Sequence, residues 1–254
     1  MLVQRLYVRG PDSVGGGPDL DEWPFTVPAV RQLAESGLEL RRPVTFLVGE
    51  NGSGKSTLVE AIAEAYGINV RTGRGSRERK VSVHECSPLG QHLQLDLTAQ
   101  GAAYAASKRL KRRSFFLRAE TAFDFIEYIS SIGVIVPGYW QEDLRVRSHG
   151  EGYLTVLGSV ISEPGLYLLD EPEAALSFNS CLRLVALLHD AAAAGAQIIC
   201  ATHSPILAAT PDADIIELDS EGAHHTTWDR LELVDHWRRY LARPDRYLRH
   251  LVGE

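Results

Sequence analysis

The stretch Gly49-Glu50-Asn51-Gly52-Ser53-Gly54-Lys55-Ser56-Thr57 sets glycines, one lysine and two hydroxyls in the spacing GxxxxGK[ST]. Glycines let a backbone wrap closely around an anion, with successive N–H groups pointing inward. The apolar, β-branched run Val44 to Val48 precedes the stretch and reads as a buried strand. Leu58 to Tyr66 follows it, reads as a helix, and stops at Gly67. This strand-to-helix context favours a phosphate cradle over a glycine-rich turn with an incidental lysine. The expected ligand is the phosphate chain of a nucleotide, wrapped by Gly49, Asn51, Gly52, Ser53 and Gly54; the cradle alone suits a nucleotide kinase, a GTPase or a motor ATPase. Lys55 would reach the β- and γ-phosphates, Ser56 would bind Mg2+, and Thr57 would support the α-phosphate side.

A second chemical group lies far downstream. Leu166-Tyr167-Leu168-Leu169-Asp170-Glu171-Pro172 is an apolar strand that delivers two adjacent carboxylates at its carboxyl end, where ligands bind in open α/β sheets. Asp170 fits the Mg2+ partner, directly or through water, and Glu171 fits the base that orients the attacking water. The alternative is a helix N-terminus decorated with acids, which the helix dipole favours. His203, in Ala201-Thr202-His203-Ser204-Pro205, follows another buried strand and would reach the γ-phosphate or the water; a lone histidine there would equally cap the next helix. Ser177, at the end of Ala174-Ala175-Leu176-Ser177, reads as a helix N-cap. Arg147-Ser148-His149-Gly150-Glu151-Gly152-Tyr153-Leu154 supports two readings, a turn that starts a helix or a grip on an anion.

The elements that must hold these groups alternate. Residues 2–8 read as a first strand, followed by a glycine- and proline-rich loop and a short helix over 28–36. Residues 71–80 are polar and basic and read as a mobile loop, and 92–97 alternate as a strand. A helix with a basic end is expected over 102–113, a strand over 115–118 and a helix over 120–132. Further strands are expected at 166–169, 197–201 and 215–218, with a long helix over 177–194 closed by Gly195. A region rich in Arg, Trp and Tyr ends the chain as helix. Such alternation predicts an α/β fold with a mainly parallel sheet flanked by helices, plus a small antiparallel β portion.

Bulk properties set limits. A chain of 254 residues with 44% hydrophobic content has ample material for a core. Its net charge of -7 repels nucleic acid and anionic membranes, so contact with either needs a local basic patch. Cys86, Cys181 and Cys200 form no CxxC pair, which suits a reduced compartment and offers no metal framework. The N-terminus lacks the apolar stretch of a signal peptide, and no run approaches the roughly 18 apolar residues of a membrane span. A cytoplasmic protein with no membrane insertion is therefore expected.

With these motifs in hand, the chain resembles the ABC-type ATPases. The resemblance rests on the cradle 49–57, RSHGE at 147–151 in the place of the LSGGQ signature, LYLLDEP at 166–172, AALS at 174–177 and ATHS at 201–204, all in family order. More closely, GENGSGKST, SHGE, LYLLDEPEAALS, ATHSPIL and the later DRYLRHL resemble a group of small, soluble, stand-alone bacterial ATPases labelled AAA-family and related to the SMC-like DNA-maintenance class. The resemblance implies a P-loop NTPase with an ABC-type core over about residues 40–220 of a single domain. A helical, signature-bearing subregion would span about 100–160, with a C-terminal helical tail over about 228–254. It also implies an ATP-dependent homodimer in which the cradle of one subunit faces the signature of the other. Ser148, His149, Gly150 and Glu151 would then meet the γ-phosphate in trans, with a helix starting near Gly152 behind them. The segment around Ser177 would cross the dimer interface, and His203 would be the switch histidine.

The chain departs from the pattern at His149 and Arg147, which replace a glycine and a leucine of the signature. The glutamine that normally follows the third strand and touches Mg2+ is not evident, and Glu120 is the candidate in its place. Tyr7, set in an alternating strand, reads as core packing rather than as an adenine platform.

Three tasks for the ATP cycle compete: a stand-alone ATPase acting on an unidentified protein partner or in nucleic-acid maintenance, the nucleotide-binding subunit of a transporter, and a slow switch in a defence or stress system. Residues 107–113, with Arg71, Arg74, Arg77, Arg79 and Lys80, could offer a basic face to nucleic acid; a solvated helix end accounts for them more simply. The aromatics Trp228, Trp237 and Tyr240 fit either a partner surface or the packed side of an amphipathic helix.

Overall fold

Runs such as VTFLV, LYLL and QIICA carry no polar alternation, so their strands need cover on both faces. The computed structural model describes residues 1–10, 16–70, 74–75, 86–111, 113–118, 149–161, 163–174 and 176–252. Its elements begin with β1 (Val3–Val8), α1 (Pro28–Glu35), β2 (Leu38–Glu39), β3 (Val44–Gly49), α2 (Lys55–Tyr66), β4 (Ile68–Asn69) and β5 (Arg74–Gly75). Next come α3 (Pro88–His92), β6 (Leu93–Leu97), α4 (Ala99–Ala106), α5 (Lys108–Lys111) and β7 (Phe115–Arg118). The chain continues through α6 (His149–Val160), β8 (Leu166–Asp170), α7 (Phe178–Ala193), β9 (Gln197–Thr202) and α8 (Pro205–Ala208). It ends in β10 (Asp214–Leu218), β11 (Ala223–Thr226), α9 (Glu232–Ala242) and α10 (Pro244–Val252).

The large sheet has the order β11-β10-β3-β9-β8-β7-β5-β4 among the described residues. The run from β10 to β7 is parallel, and β11, β5 and β4 join antiparallel. A separate antiparallel sheet has the order β2-β1-β6. The α/β class with a mainly parallel sheet, flanking helices and a small antiparallel part is thus the observed one.

Side chains along each central strand alternate between two cores. Leu47, Leu168, Ile199 and Ile216 pack with α1, α2 and the small sheet. Phe46, Val48, Tyr167, Leu169, Ile198 and Cys200 pack on the other face with α6, α7 and α8. Gln197 joins the two sheets: its Oε1 accepts from the N–H groups of Leu2 (2.6 Å) and Val3 (2.8 Å), and its Nε2 donates to Val3 O (2.7 Å).

Several expectations change. The helix expected over 102–113 is two helices, broken at Ser107, whose ψ of 113° is extended. Arg74 and Gly75, read as loop, form a strand; the rest of 71–80, apart from those two, lies outside the described residues. The helix expected over 120–132 also lies outside them. Tyr7 is half-buried with the Arg5 guanidinium 5.8 Å from its ring centroid, outside either core. Trp228 is anchored, donating to Pro205 O at 2.8 Å under the Arg238 guanidinium. Trp237 and Tyr240 are exposed, so core packing does not account for them.

Candidate functional site

Parallel pairing brings four strand ends to one edge. Arg118 of β7 pairs with Asp170 of β8, Asp170 with Ala201 of β9, and Val48 of β3 with Thr202 of β9. The segments after these strands (the 49–55 turn, Glu171 to Glu173, and His203) therefore leave the sheet side by side.

The 49–55 turn is shaped by its glycines. A Cβ on Gly49 would fall on the carbonyl oxygen of Leu218, so β10 passes too close for any other residue. Gly54 holds φ at 97° and forms the left-handed entry to α2. Lys55 is buried and folds back over the turn, its Nζ donating to Gly49 O (2.8 Å) and Glu50 O (3.0 Å). Burial lowers the Lys55 pKa; the negative charges of Glu171 and Asp170 oppose that shift. Asn51 and Gly52 are exposed, Ser53, Gly54, Ser56 and Thr57 half-buried, and the Ser53 hydroxyl is shut off from solvent without a hydrogen-bond partner.

The acidic edge is assembled from separate segments. Asp170 is buried; Arg118 Nε donates to its Oδ2 at 2.8 Å, and its Oδ1 has no hydrogen-bond partner. Arg118 also donates to Glu60 Oε2 of α2 at 3.2 Å. Burial works against the Arg118 charge, but the Asp170 and Glu60 carboxylates outweigh it and hold its pKa above the ordinary arginine value. Glu171 sits at φ 49°, a left-handed conformation that costs a non-glycine residue about 1 kcal/mol, and its N–H donates to Ala201 O at 2.9 Å. His203 Nε2 lies 3.3 Å from Glu171 Oε1, in contact but without hydrogen-bond geometry.

Glu173 is the residue that the sequence reading passed over. Its Oε1 accepts from Thr202 Oγ1 (2.5 Å) and from the His203 N–H (2.7 Å), while its Oε2 is enclosed without a hydrogen-bond partner. Burial raises its pKa; the hydrogen bonds from Thr202 and His203 pull it down, and the Glu171 charge pushes it up. One carboxylate thus pins the backbone carrying His203 to the segment carrying Glu171. Its signal was a third acid in the string DEPE, and that of Arg118 was a charge at the carboxyl end of a buried strand, where ligands gather.

Other expected residues divide. Lys55, Asp170, Glu171 and His203 converge, as the Lys55–Glu171 and Lys55–Asp170 charge interactions and the Glu171–His203 contact attest. Ser148, Arg147 and Glu120 lie outside the described residues. His149, Gly150 and Glu151 form the first turn of α6, so that helix starts ahead of the Gly152 expected for it. Ser177 is an N-cap, its Oγ accepting from the Ser180 N–H at 3.3 Å.

Comparison with known proteins places this geometry. Residues 104–209 match the family model described as "AAA domain, putative AbiEii toxin, Type IV TA system", and residues 28–115 match one described as "AAA domain". The SMC head bound to the C-winged helix domain of ScpA superposes with a TM-score of 0.51 at 15% identity, covering 89% of this chain and 98% of that one. The chain has the ABC-type P-loop ATPase fold. This ATPase fold also aligns with ABC transporter G family member 22 of Arabidopsis thaliana, at 28% identity over 64% of this chain and 23% of the relative. ABC transporter G family member 21 of Dictyostelium discoideum is 22% identical over 79% of this chain and 15% of its own length. The chain spans less than a quarter of these curated relatives. Within the fold, the 49–57 turn joins β3 to α2 and 166–171 ends in the acidic edge beside it.

Proposed function

We propose that the protein binds ATP with Mg2+ and hydrolyses it in a head-to-tail homodimer, as one ATPase domain acting on a separate partner. The convergence of Lys55, Asp170, Glu171 and His203 at one sheet edge carries the reading. The residues present fit a metal-bound nucleotide: Asp170 keeps a buried oxygen without a hydrogen-bond partner, and the turn at Gly49 excludes any side chain from the cradle. Ser56 and Asp170 would hold Mg2+, which would neutralise charge on the β- and γ-phosphate oxygens. Lys55 would trade the carbonyl oxygens of Gly49 and Glu50 for phosphate oxygens, giving its buried charge an anionic partner. Glu171 would accept a hydrogen bond from the attacking water, and His203 beside it would face the γ-phosphate. Ser148, His149, Gly150 and Glu151 would meet that phosphate from the partner subunit, with the amino end of α6 supplying its positive dipole.

Pairing is supported by the start of α7. Phe178 and Leu182, one turn apart, are 65% and 47% exposed beside the capping Ser177. Within the basic run 107–113, Arg113 pairs with Glu163 at 2.6 Å and Lys111 is half-buried, so these two offer little to a nucleic acid. A cytoplasmic ATPase suits the absence of any helix long and apolar enough to cross a membrane among the described residues. The transporter relatives favour a second reading, a nucleotide-binding subunit on a separate membrane protein.

Glu171→Gln tests the first reading. Hydrolysis is expected to fall by at least ~100-fold, the usual worth of a general base, while ATP binding persists and light scattering reports a dimer with ATP and Mg2+. Normal hydrolysis in the variant would remove Glu171 from the mechanism; a monomer with ATP would remove the sandwich. Co-purification of the trapped form with an integral membrane protein encoded beside it would favour the transporter reading.

A further inference from the structure

At the strand end next to Asp170, in direct register with it, stands a cation. Arg118 closes β7, pairs with Asp170 across the sheet, and donates to its Oδ2 at 2.8 Å. It therefore neutralises the carboxylate that a divalent ion would need, holding Oδ2 while Oδ1 stays without a hydrogen-bond partner. The same guanidinium reaches Glu60 Oε2 at 3.2 Å, one turn beyond Ser56 on α2. Two carboxylates share this guanidinium, and they are not equivalent. Asp170 is 4% exposed and Glu60 30%. A guanidinium that leaves Asp170 keeps Glu60, so departure does not strand its charge; that gives the group two resting places.

We propose that Arg118 is a displaceable counter-cation for the metal-binding carboxylate: it neutralises Asp170 when no metal is bound and shifts to Glu60 when a divalent ion is taken up with ATP. Arg118 supplies the opposite charge beside the buried Asp170 carboxylate, and in doing so competes with the metal. Glu60 sets the strength of the competition, because it is the anion that receives the released guanidinium. Arg118 is thus a positioning residue that sets how much metal the ATP-bound protein needs. The inference rests on the MgATP reading above.

The test measures Mn2+ binding to the ATP-bound protein by electron paramagnetic resonance, in a Glu171→Gln background that suppresses turnover. Arg118→Gln is expected to tighten Mn2+ binding roughly fivefold, the effect of removing one charge-assisted competitor, with ATP affinity in chelator unchanged within about twofold. Glu60→Gln is expected to act in the opposite sense, weakening Mn2+ binding roughly threefold because Arg118 then loses the Glu60 carboxylate that would receive it. Opposite signs in the two variants support the displacement. Mn2+ affinity that is unchanged or weaker in Arg118→Gln overturns it, and so does Glu60→Gln matching Arg118→Gln. If Arg118→Gln does not fold, the Glu60→Gln result decides the matter alone. A parent protein that binds no ATP with Mn2+ present defeats the nucleotide reading itself, an outcome distinct from the other two.

Discussion

The glycine-rich turn and the acidic edge stand side by side at one end of the sheet, yet they are made differently. Residues 49–57 are contiguous, and their shape comes from backbone geometry: Gly54 at φ 97°, a Cβ-free Gly49 against β10, and a lysine bonded to its own loop carbonyls. The acidic edge draws Arg118, Asp170, Glu171, Glu173, Thr202 and His203 from three strand ends and joins them through side chains. A contiguous turn tolerates little substitution but depends on few partners. A side-chain cluster distributes its stability over several bonds, so its members can be tuned one at a time.

The largest break should come in the turn. Gly49→Ala drives a methyl into Leu218 O, and there is no flexible side chain to yield, so a loss of at least ~2 kcal/mol is expected together with loss of ATP binding. Urea denaturation and a fluorescent nucleotide titration would check both; a stable variant that binds ATP would mean that β10 moves freely. The acidic edge should give less. Thr202→Val removes the hydroxyl that donates to Glu173 Oε1 and accepts from the Ser204 N–H, at an expected cost of about 1–3 kcal/mol. Here the fold should persist while kcat falls more than ATP affinity, because His203 loses its fixed backbone and the turn is untouched. Equal loss of both would show that the two regions act as one unit.

The finest effect is a pH slope. Burial holds the Glu173 pKa above its ordinary 4.5, so the folded protein binds that proton more tightly than the unfolded chain. Its contribution is most favourable below pH 4.5 and is lost as pH rises through the raised folded value. Glu173→Gln removes this dependence. Relative to the parent, the variant should gain thermal stability progressively as pH climbs above 4.5, read as the Tm difference between the two proteins across pH 4–8. A constant Tm difference would mean that Glu173 titrates alike in both states.

Much of this was legible in the residues themselves. GENGSGKST names its own conformation, because glycine spacing and a flanking strand and helix act over a few bonds. LYLLDEP likewise announces a buried parallel strand with acids at its carboxyl end. The helix over 102–113 was misjudged because composition gave no sign that Ser107 would turn extended. For Trp237 and Tyr240 the sequence leaves a partner surface and core packing both open, because an amphipathic pattern does not say whether its apolar side is covered.

The sequence by itself thus determined the glycine-rich strand-to-helix turn, the alternation of strands and helices, and the identities of Asp170, Glu171 and His203 as candidates. Only the tertiary structure decided that Arg118 sits on Asp170 and that Glu173 binds the His203 backbone. The reason is physical. Local conformation follows from short-range sterics and hydrogen bonding along the chain, whereas residues 118, 170 and 203 become neighbours only through the pairing order of β7, β8 and β9. That order is set by which faces must be buried together, and it appears in no single stretch of sequence.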